Sequence, residues 1–288
     1  MKGLYILLIF ILSLPAAMAQ EAVYQTFKHG RIVTIQSTET LKTWDWDFYV
    51  MHRFGDLLGP NGGTTNTFGL ANAADVIIGF RYGLNDNLEV GLSRNKGGSP
   101  LALDKNFNLH LKYRLLRQKH HGTPLSLSVF SLTSFSTAQR SLNPASLKYF
   151  AKFIHRFTYH FQAMAARKFS HRFSLQLGAG YTHRNIAYSG ESNGIVSGLI
   201  GMRLQLNKIY GIVADAAFPF APHIRLFDTH QPYLGIALEI ETGGGHIFNI
   251  SLTNARGTIE TDFIPYTIER IDQGEFRLGF ILSRYMRF

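Results

Sequence analysis

The residues that could carry chemistry are plentiful but poorly grouped. The chain holds twelve histidines and no cysteine. Disulfide scaffolds, thiol catalysis, iron–sulfur clusters and Cys-ligated zinc are therefore excluded. His120, His121 and His171 are the most suggestive set, yet they sit among Arg117, Lys119, Arg167, Lys168 and Arg172. Neighbouring cations oppose a further cation, and a metal site needs a convergent set of ligands. Arg117, Lys119, His120, His121, Lys168, His171 and Arg172 are instead expected to form a basic rim for periplasmic partners or anionic lipid heads, with no bound metal. Serines are common, but the Gly-Ser-rich stretch Tyr188 to Gly194 lacks the spacing of a nucleophile elbow. Gly243-Gly244-Gly245 is a hairpin turn before it is a phosphate loop. No catalytic residue and no cofactor are expected, and a barrel-embedded lipid hydrolase is kept only as an alternative.

The elements that must position any site follow from composition and period. Hydrophobic residues make up 45% of the chain and charged residues 17%, whereas soluble domains average about 25% charged. Alternation of two recurs almost everywhere. Phe107, Leu109, Leu111, Tyr113 and Leu115 alternate with Asn108, His110, Lys112 and Arg114. The same holds for Phe173 to Thr182 and for Phe276 to Ser283. Twelve such segments are expected: Thr43 to Phe54, Asp75 to Gly83, Asn87 to Arg94, Lys105 to Leu115, Leu125 to Thr137, Arg156 to Arg167, Arg172 to His183, Gly194 to Leu206, Ile209 to Phe218, Tyr233 to Glu241, Gly245 to Thr253 and Gly274 to Arg287. Connections between them alternate long and short, the loop rhythm of an outer-membrane barrel. Lys2, the apolar stretch Leu4 to Leu14 and Ala17-Met18-Ala19 have the layout of a cleaved signal peptide, residues 1–19. No later stretch is apolar enough for a spanning helix, so membrane insertion must use strands. Export and dispersed basic residues argue against nucleic acid despite a net charge of +10.

A soluble barrel or sandwich shows the same alternation, but its outer face is dense in charge, and here the polar faces are rich in Gly, Ser, Thr, Asn and Gln. Aromatics near strand ends, among them Trp44, Trp46, Tyr82, Phe107, Tyr113, Phe173, Tyr181, Tyr210, Phe218 and Tyr285, fit interfacial girdles. The polar parity assigns Arg53, Arg81, Lys112, Arg114, Arg203, Arg277 and Arg287 to the lumen. Asp45, Asp47, Glu89, Asp215, Glu239 and Glu241 join them, with His110. Near balance of sign argues against a one-sign selectivity ring and for pairing of desolvated charges, with contact of some of them to solute as the lesser alternative. In the first hairpin a three-residue loop at Leu84-Asn85-Asp86 would set Phe80 opposite Val90 and Tyr82 opposite Leu88. Loop aromatics Phe54, Phe68, Phe150, Phe153, Phe220, Phe227, Phe263 and Tyr266 are expected on the outer side.

Several stretches resemble a family of outer-membrane β-barrel proteins of Gram-negative bacteria known only as a domain of unknown function. They are Ile35 to Leu41, Phe48 through His52-Arg53-Phe54-Gly55-Asp56, Tyr82 to Gly91, Lys112 to Arg117, and Asp262-Phe263-Ile264-Pro265-Tyr266. The chain departs from the family's pattern after Phe68-Gly69-Leu70, where Ala71 stands in place of an acidic residue. The resemblance implies fold and location, and no activity. The expected fold is all-β: a twelve-stranded antiparallel transmembrane β-barrel from residue 43 to 288, with a short N-terminal segment, 20–42, in the lumen or at the periplasmic mouth. Expected partners are outer-membrane lipids, the barrel-assembly machinery through a C-terminal strand ending in Phe288, and a small solute or periplasmic protein. The expected role is a narrow solute pathway or ligand-binding barrel without catalysis; the runner-up is a structural or partner-docking barrel.

Overall fold

The computed structural model describes residues 25–242 and 244–287. The signal-peptide layout, the start of the N-terminal segment and Phe288 lie outside the described residues. Twelve strands follow one another: Trp46–Phe54 (β1), Ala73–Asn85 (β2), Leu88–Gly97 (β3), Asn106–Leu116 (β4), Ser126–Ser136 (β5), Phe157–Lys168 (β6), Phe173–Arg184 (β7), Gly194–Gln205 (β8), Tyr210–Phe220 (β9), Tyr233–Thr242 (β10), His246–Thr253 (β11) and Arg277–Met286 (β12). Each pairs antiparallel with its sequence neighbour, and β1 pairs with β12, so the sheet closes into a barrel. Closure removes every free strand edge, which is what allows a sheet to sit in hydrocarbon.

Side-chain alternation separates two environments. On β4, Phe107, Leu109, Leu111 and Tyr113 are exposed on the outside, while Asn108, His110, Lys112 and Arg114 are buried within. A band of this kind matches a lipid tail region, with rings at its edges. Trp46 and Tyr82 pack 4.8 Å apart at one end and Phe135 and Phe157 5.0 Å apart at the other. Tyr285 is not part of the girdle. It shares the inward parity of Ser283 and its hydroxyl donates to the Lys28 carbonyl.

The first hairpin is shifted from the expected register. Phe80 pairs with Leu92 and Tyr82 with Val90, because an irregularity between Gly83 and Asn85 tightens the connection to Asp86-Asn87. A shift of two residues preserves parity, so Arg81 and Glu89 share the inner face, Nη1 to Oε1 3.6 Å. Arg287 approaches Asp45 at 3.6 Å, as closure requires, but at 74% exposure it lies on the rim and not in the lumen.

Two further segments fill the interior. Residues 25–42 run inside the barrel, where Thr26, Phe27, His29, Ile32, Val33, Thr34, Ile35, Gln36 and Ser37 are buried. Their centre is a small hairpin, with Arg31 bridged to Gln36 and the Ile32 N–H donating to the Ile35 carbonyl. From the opposite end, the connection between β11 and β12 folds inward and forms a short helix, Glu260–Tyr266 (α1), every residue of which is buried. Phe263 and Tyr266 are therefore interior residues, contrary to the expected outer placement, while Phe150 packs among the loops with Leu103, Leu147 and Tyr266. Phe68, Phe153, Phe220 and Phe227 are exposed.

Candidate functional site: a plugged lumen

The wall holds the inserted chain through polar groups that face inward because of strand parity. Asp215 on β9 is the clearest case. One carboxylate oxygen accepts the backbone N–H groups of Val33, Thr34 and Ile35 at 3.0, 2.8 and 2.8 Å, and the other accepts the Tyr233 hydroxyl at 2.7 Å. Three successive N–H groups converging on one anion form a nest, here at the tip of the hairpin. Apolar contacts back it up: Ile35 packs with Ile195, Leu199, Ala217 and Tyr233, and Ile32 with Ala166, Val213 and Ala237. A methyl on Gly201 would run into Ile32, so a glycine there lets the plug lie against the wall.

Arg53 joins the two inserts. It donates to the Thr34 hydroxyl at 2.7 Å below and to the carbonyls of Ala255 and Gly257 at 3.1 and 2.6 Å above. Glu260, on α1, takes Arg31 at 2.9 Å and Gln36 at 3.0 Å from the plug. Burial pushes the Glu260 carboxyl up, but Arg31, His160 and the hydrogen bonds it accepts, Gln36 among them, together hold it below the usual range. On the loop side Asp75 accepts the N–H and hydroxyl of Thr258 at 3.0 and 2.6 Å. Asp262 accepts the Ser99 N–H at 3.1 Å, and burial together with nearby Asp75 pushes its carboxyl well up.

Lower in the lumen Lys112 donates to the carbonyls of Gly30 and Glu39, and Leu41 N–H donates to Glu89 at 3.0 Å. Arg81 bonds Asp47, and His29 of the plug stands 3.6 Å from the same carboxylate. Burial and the Arg81 charge lower the His29 imidazole, so it is neutral in its ordinary range. Gly30 passes so close to the Arg81 guanidinium that a side chain there would overlap it.

The inward-parity residues thus divide by partner. Arg203 and Glu239 pair across the wall at 2.7 Å, and His110 lies 3.4 Å from Glu89. Arg53, Lys112, Asp215, Arg114 and Arg277 hold inserted chain: Arg114 approaches Glu39 at 3.8 Å, and Arg277 approaches Glu269 of the loop at 3.2 Å. The rim histidines His120, His121 and His171 are exposed with Arg172. The two turns are tied instead by Gln118, which exchanges hydrogen bonds with the Lys168 backbone, while the Lys168 ammonium donates to the Gln25 carbonyl. Arg117 lines a cavity of about 360 Å³ at the mouth where the short turns lie, with Lys28, Lys42, Arg114, Glu39 and Asp45. Lys119 lies half-buried beside it in sequence.

Sequence reasoning missed His29, Arg31, Asp75, Glu260 and Asp262. The usable signal was apolar Ile259, Phe263 and Ile264 interleaved with acids in a supposedly wet loop, and the alternating piece Arg31 to Ser37 with no partner strand.

Residues 27–286 match the family described as membrane bound beta barrel domain (DUF5777). No curated protein matches the chain. Among solved structures, an outer membrane channel from Pseudomonas putida F1 is 12% identical, with a TM-score of 0.53 and 87% of this chain and 98% of that one covered. The NanC porin is 8% identical, with a TM-score of 0.50 over 84% and 99%. These likenesses are of fold. A closed twelve-stranded barrel with an apolar outer band is an outer-membrane architecture, and with nearly its whole described length matched, the chain belongs to the membrane bound beta barrel domain family.

Proposed function

We propose that the protein is a narrow solute pathway of the outer membrane without a catalytic role, closed in this conformation by its own N-terminal segment and its last loop. One observation carries the reading: the interior is filled by residues 25–42 and by the connection between β11 and β12, which wall side chains hold through hydrogen bonds to groups such as the Thr34 N–H and the Ala255 carbonyl. Eight-stranded barrels are filled by wall side chains alone; twelve strands here surround a hairpin and a helix. With both withdrawn, Arg53, Arg81, Glu89, His110, Lys112, Arg114, Arg203, Asp215, Glu239 and Arg277 would line a hydrated path of mixed sign. Planar bilayers test this. The full chain should be nearly silent, and a variant lacking residues 26–38 should show stepwise conductance whose ion preference changes when Arg53, Arg81, Lys112 and Arg114 are neutralised together. Silence of the deletion variant, with the barrel assembled by heat-modifiable gel migration, would refute the pathway.

A second reading, a partner-docking barrel, is favoured by the concave periplasmic mouth. Lys28, Lys42, Arg81, Arg114, Arg117 and Arg287 line it against Glu39, Asp45 and Glu241, a cationic cup suited to an acidic periplasmic segment.

A further inference from the structure

The outer wall carries a charged patch that the lumen does not explain. Arg94 and Lys96 lie on the extracellular half of β3, on the parity that points into the membrane, and both are exposed. Arg94 pairs in register with Phe107 at the start of β4, and its guanidinium sits over that ring, 4.5 Å from the centroid. The ladder between β3 and β4 ends at this pair; Lys105, two residues before Phe107, is exposed, and its carbonyl is tied to the end of β5 by the Thr137 N–H and hydroxyl. On the other flank Ile78 faces Arg94 and Val76 faces Lys96, so the neighbours are hydrocarbon.

Cations on a lipid-facing wall are costly unless they reach the headgroup layer and find anions there. These three have reached it: Phe107, Phe135 and Phe157 mark the extracellular girdle at their level, with Phe135 and Phe157 rings 5.0 Å apart. Carboxylates nearby are engaged elsewhere. Asp104 binds Lys148 at 3.0 Å, and Asp75 points inward to Thr258. Among the described residues Arg94, Lys96 and Lys105 make no ion pair, so their charge is left for a ligand outside the chain.

We propose that Arg94, Lys96 and Lys105 form a binding site for the phosphate of an outer-leaflet lipid, with its acyl chains lying along Leu92, Ile78 and Leu109. The planar guanidinium suits a phosphate through paired N–H donors, and the two ammonium groups add point charge. The site is independent of whether the lumen conducts.

Native mass spectrometry of the detergent-solubilised full chain tests the site, using lipid A bearing two phosphates, the same lipid enzymatically dephosphorylated, and inorganic phosphate alone. The phosphorylated lipid should be retained and the other two should not. Replacing all three residues with Gln should weaken retention by roughly a hundredfold, at about fivefold per cation near a charged surface. An equally large neutralisation of exposed loop and turn residues Lys152, Lys208 and Arg225 should leave it unchanged. Should the triple variant fail to assemble, a salt series on the unaltered protein decides, since screening shortens from about 10 Å at 0.1 M to about 3 Å at 1 M. Retention that is insensitive to salt, equal retention of the dephosphorylated lipid, binding of inorganic phosphate alone, or full retention by an assembled triple variant would overturn the proposal.

Discussion

Asp215→Ala is the sharpest perturbation of the proposed gate. It removes the acceptor shared by the Val33, Thr34 and Ile35 N–H groups and the partner of the Tyr233 hydroxyl, all within 3.0 Å. A hydrogen bond to a charged group contributes about 1.5–3 kcal/mol, and an orphaned buried donor costs about 1–3 kcal/mol. Contributions from one nest are not additive, so about 3 kcal/mol is taken for the set. That converts to roughly a hundredfold shift between seated and released plug. The barrel ladder is untouched, since Asp215 contributes only its backbone to β8 and β10. Two readouts follow. Open probability in planar bilayers should rise by about that factor if the plug is the gate. A cysteine at Ile32, clean in a chain with no native cysteine, should become reactive to a polar maleimide at a correspondingly faster rate. Asp215→Asn, which keeps one acceptor oxygen, should fall between. If the assembled Asp215→Ala barrel keeps Ile32 protected and its open probability within threefold of the parent, the assignment of Asp215 as the plug's anchor fails.

Acidification should loosen the plug through His29. Its folded pKa is depressed by burial and Arg81, so the released state binds the proton more readily; seating is unaffected above about pH 6.5 and weakens as pH falls through the window down to the folded value. His29→Gln should flatten the profile of cysteine labelling between pH 5 and 7. The inward loop has the opposite sign: Asp262 is raised by burial and Asp75, so its seating weakens as pH rises above about 4 toward the folded value, and Asp262→Asn should abolish that dependence in protease protection of the loop. Arg53→Met should cost about 2–4 kcal/mol of coupling by orphaning the Thr34, Ala255 and Gly257 oxygens, seen as simultaneous exposure of plug and loop to labelling. A Cys pair at Val50 and Leu282, which are register partners, should form a closing disulfide, whereas Val50 with Phe280 should not.

The wall was readable because hydrocarbon outside and polar groups inside impose a period of two on every strand. Phe107 to Leu115 shows this in nine residues, and parity alone sends Arg53, Arg81 and Lys112 inward. Register is harder to read, since the shift between Gly83 and Asn85 depends on turn geometry and leaves the alternation unchanged. The contents of the lumen were the least legible part. Arg31 to Ser37 looks like a strand without a mate because its mate is itself, Arg31 to Gln36. Glu260 and Asp262 look solvated on composition, and only the tertiary placement of Arg31 and Ser99 turns them inward. Charge balance on the wall pointed to pairing, but could not show that Arg53 and Asp215 pair with inserted chain instead of with each other.

The closing seam is where the two fillings are attached. Residues 25–42 precede β1 and the inward loop precedes β12, the two strands whose pairing closes the barrel. A barrel sealed before these segments were inside would have to admit them through its mouths, past side chains such as Arg53, Lys112 and Asp215 that hydrogen-bond them. Enclosing them as β1 meets β12 avoids that passage. Assembly then resembles a clasp shutting around its contents: filling and closure form one cooperative step, and a lesion in the plug should be felt as a slow or faulty seam.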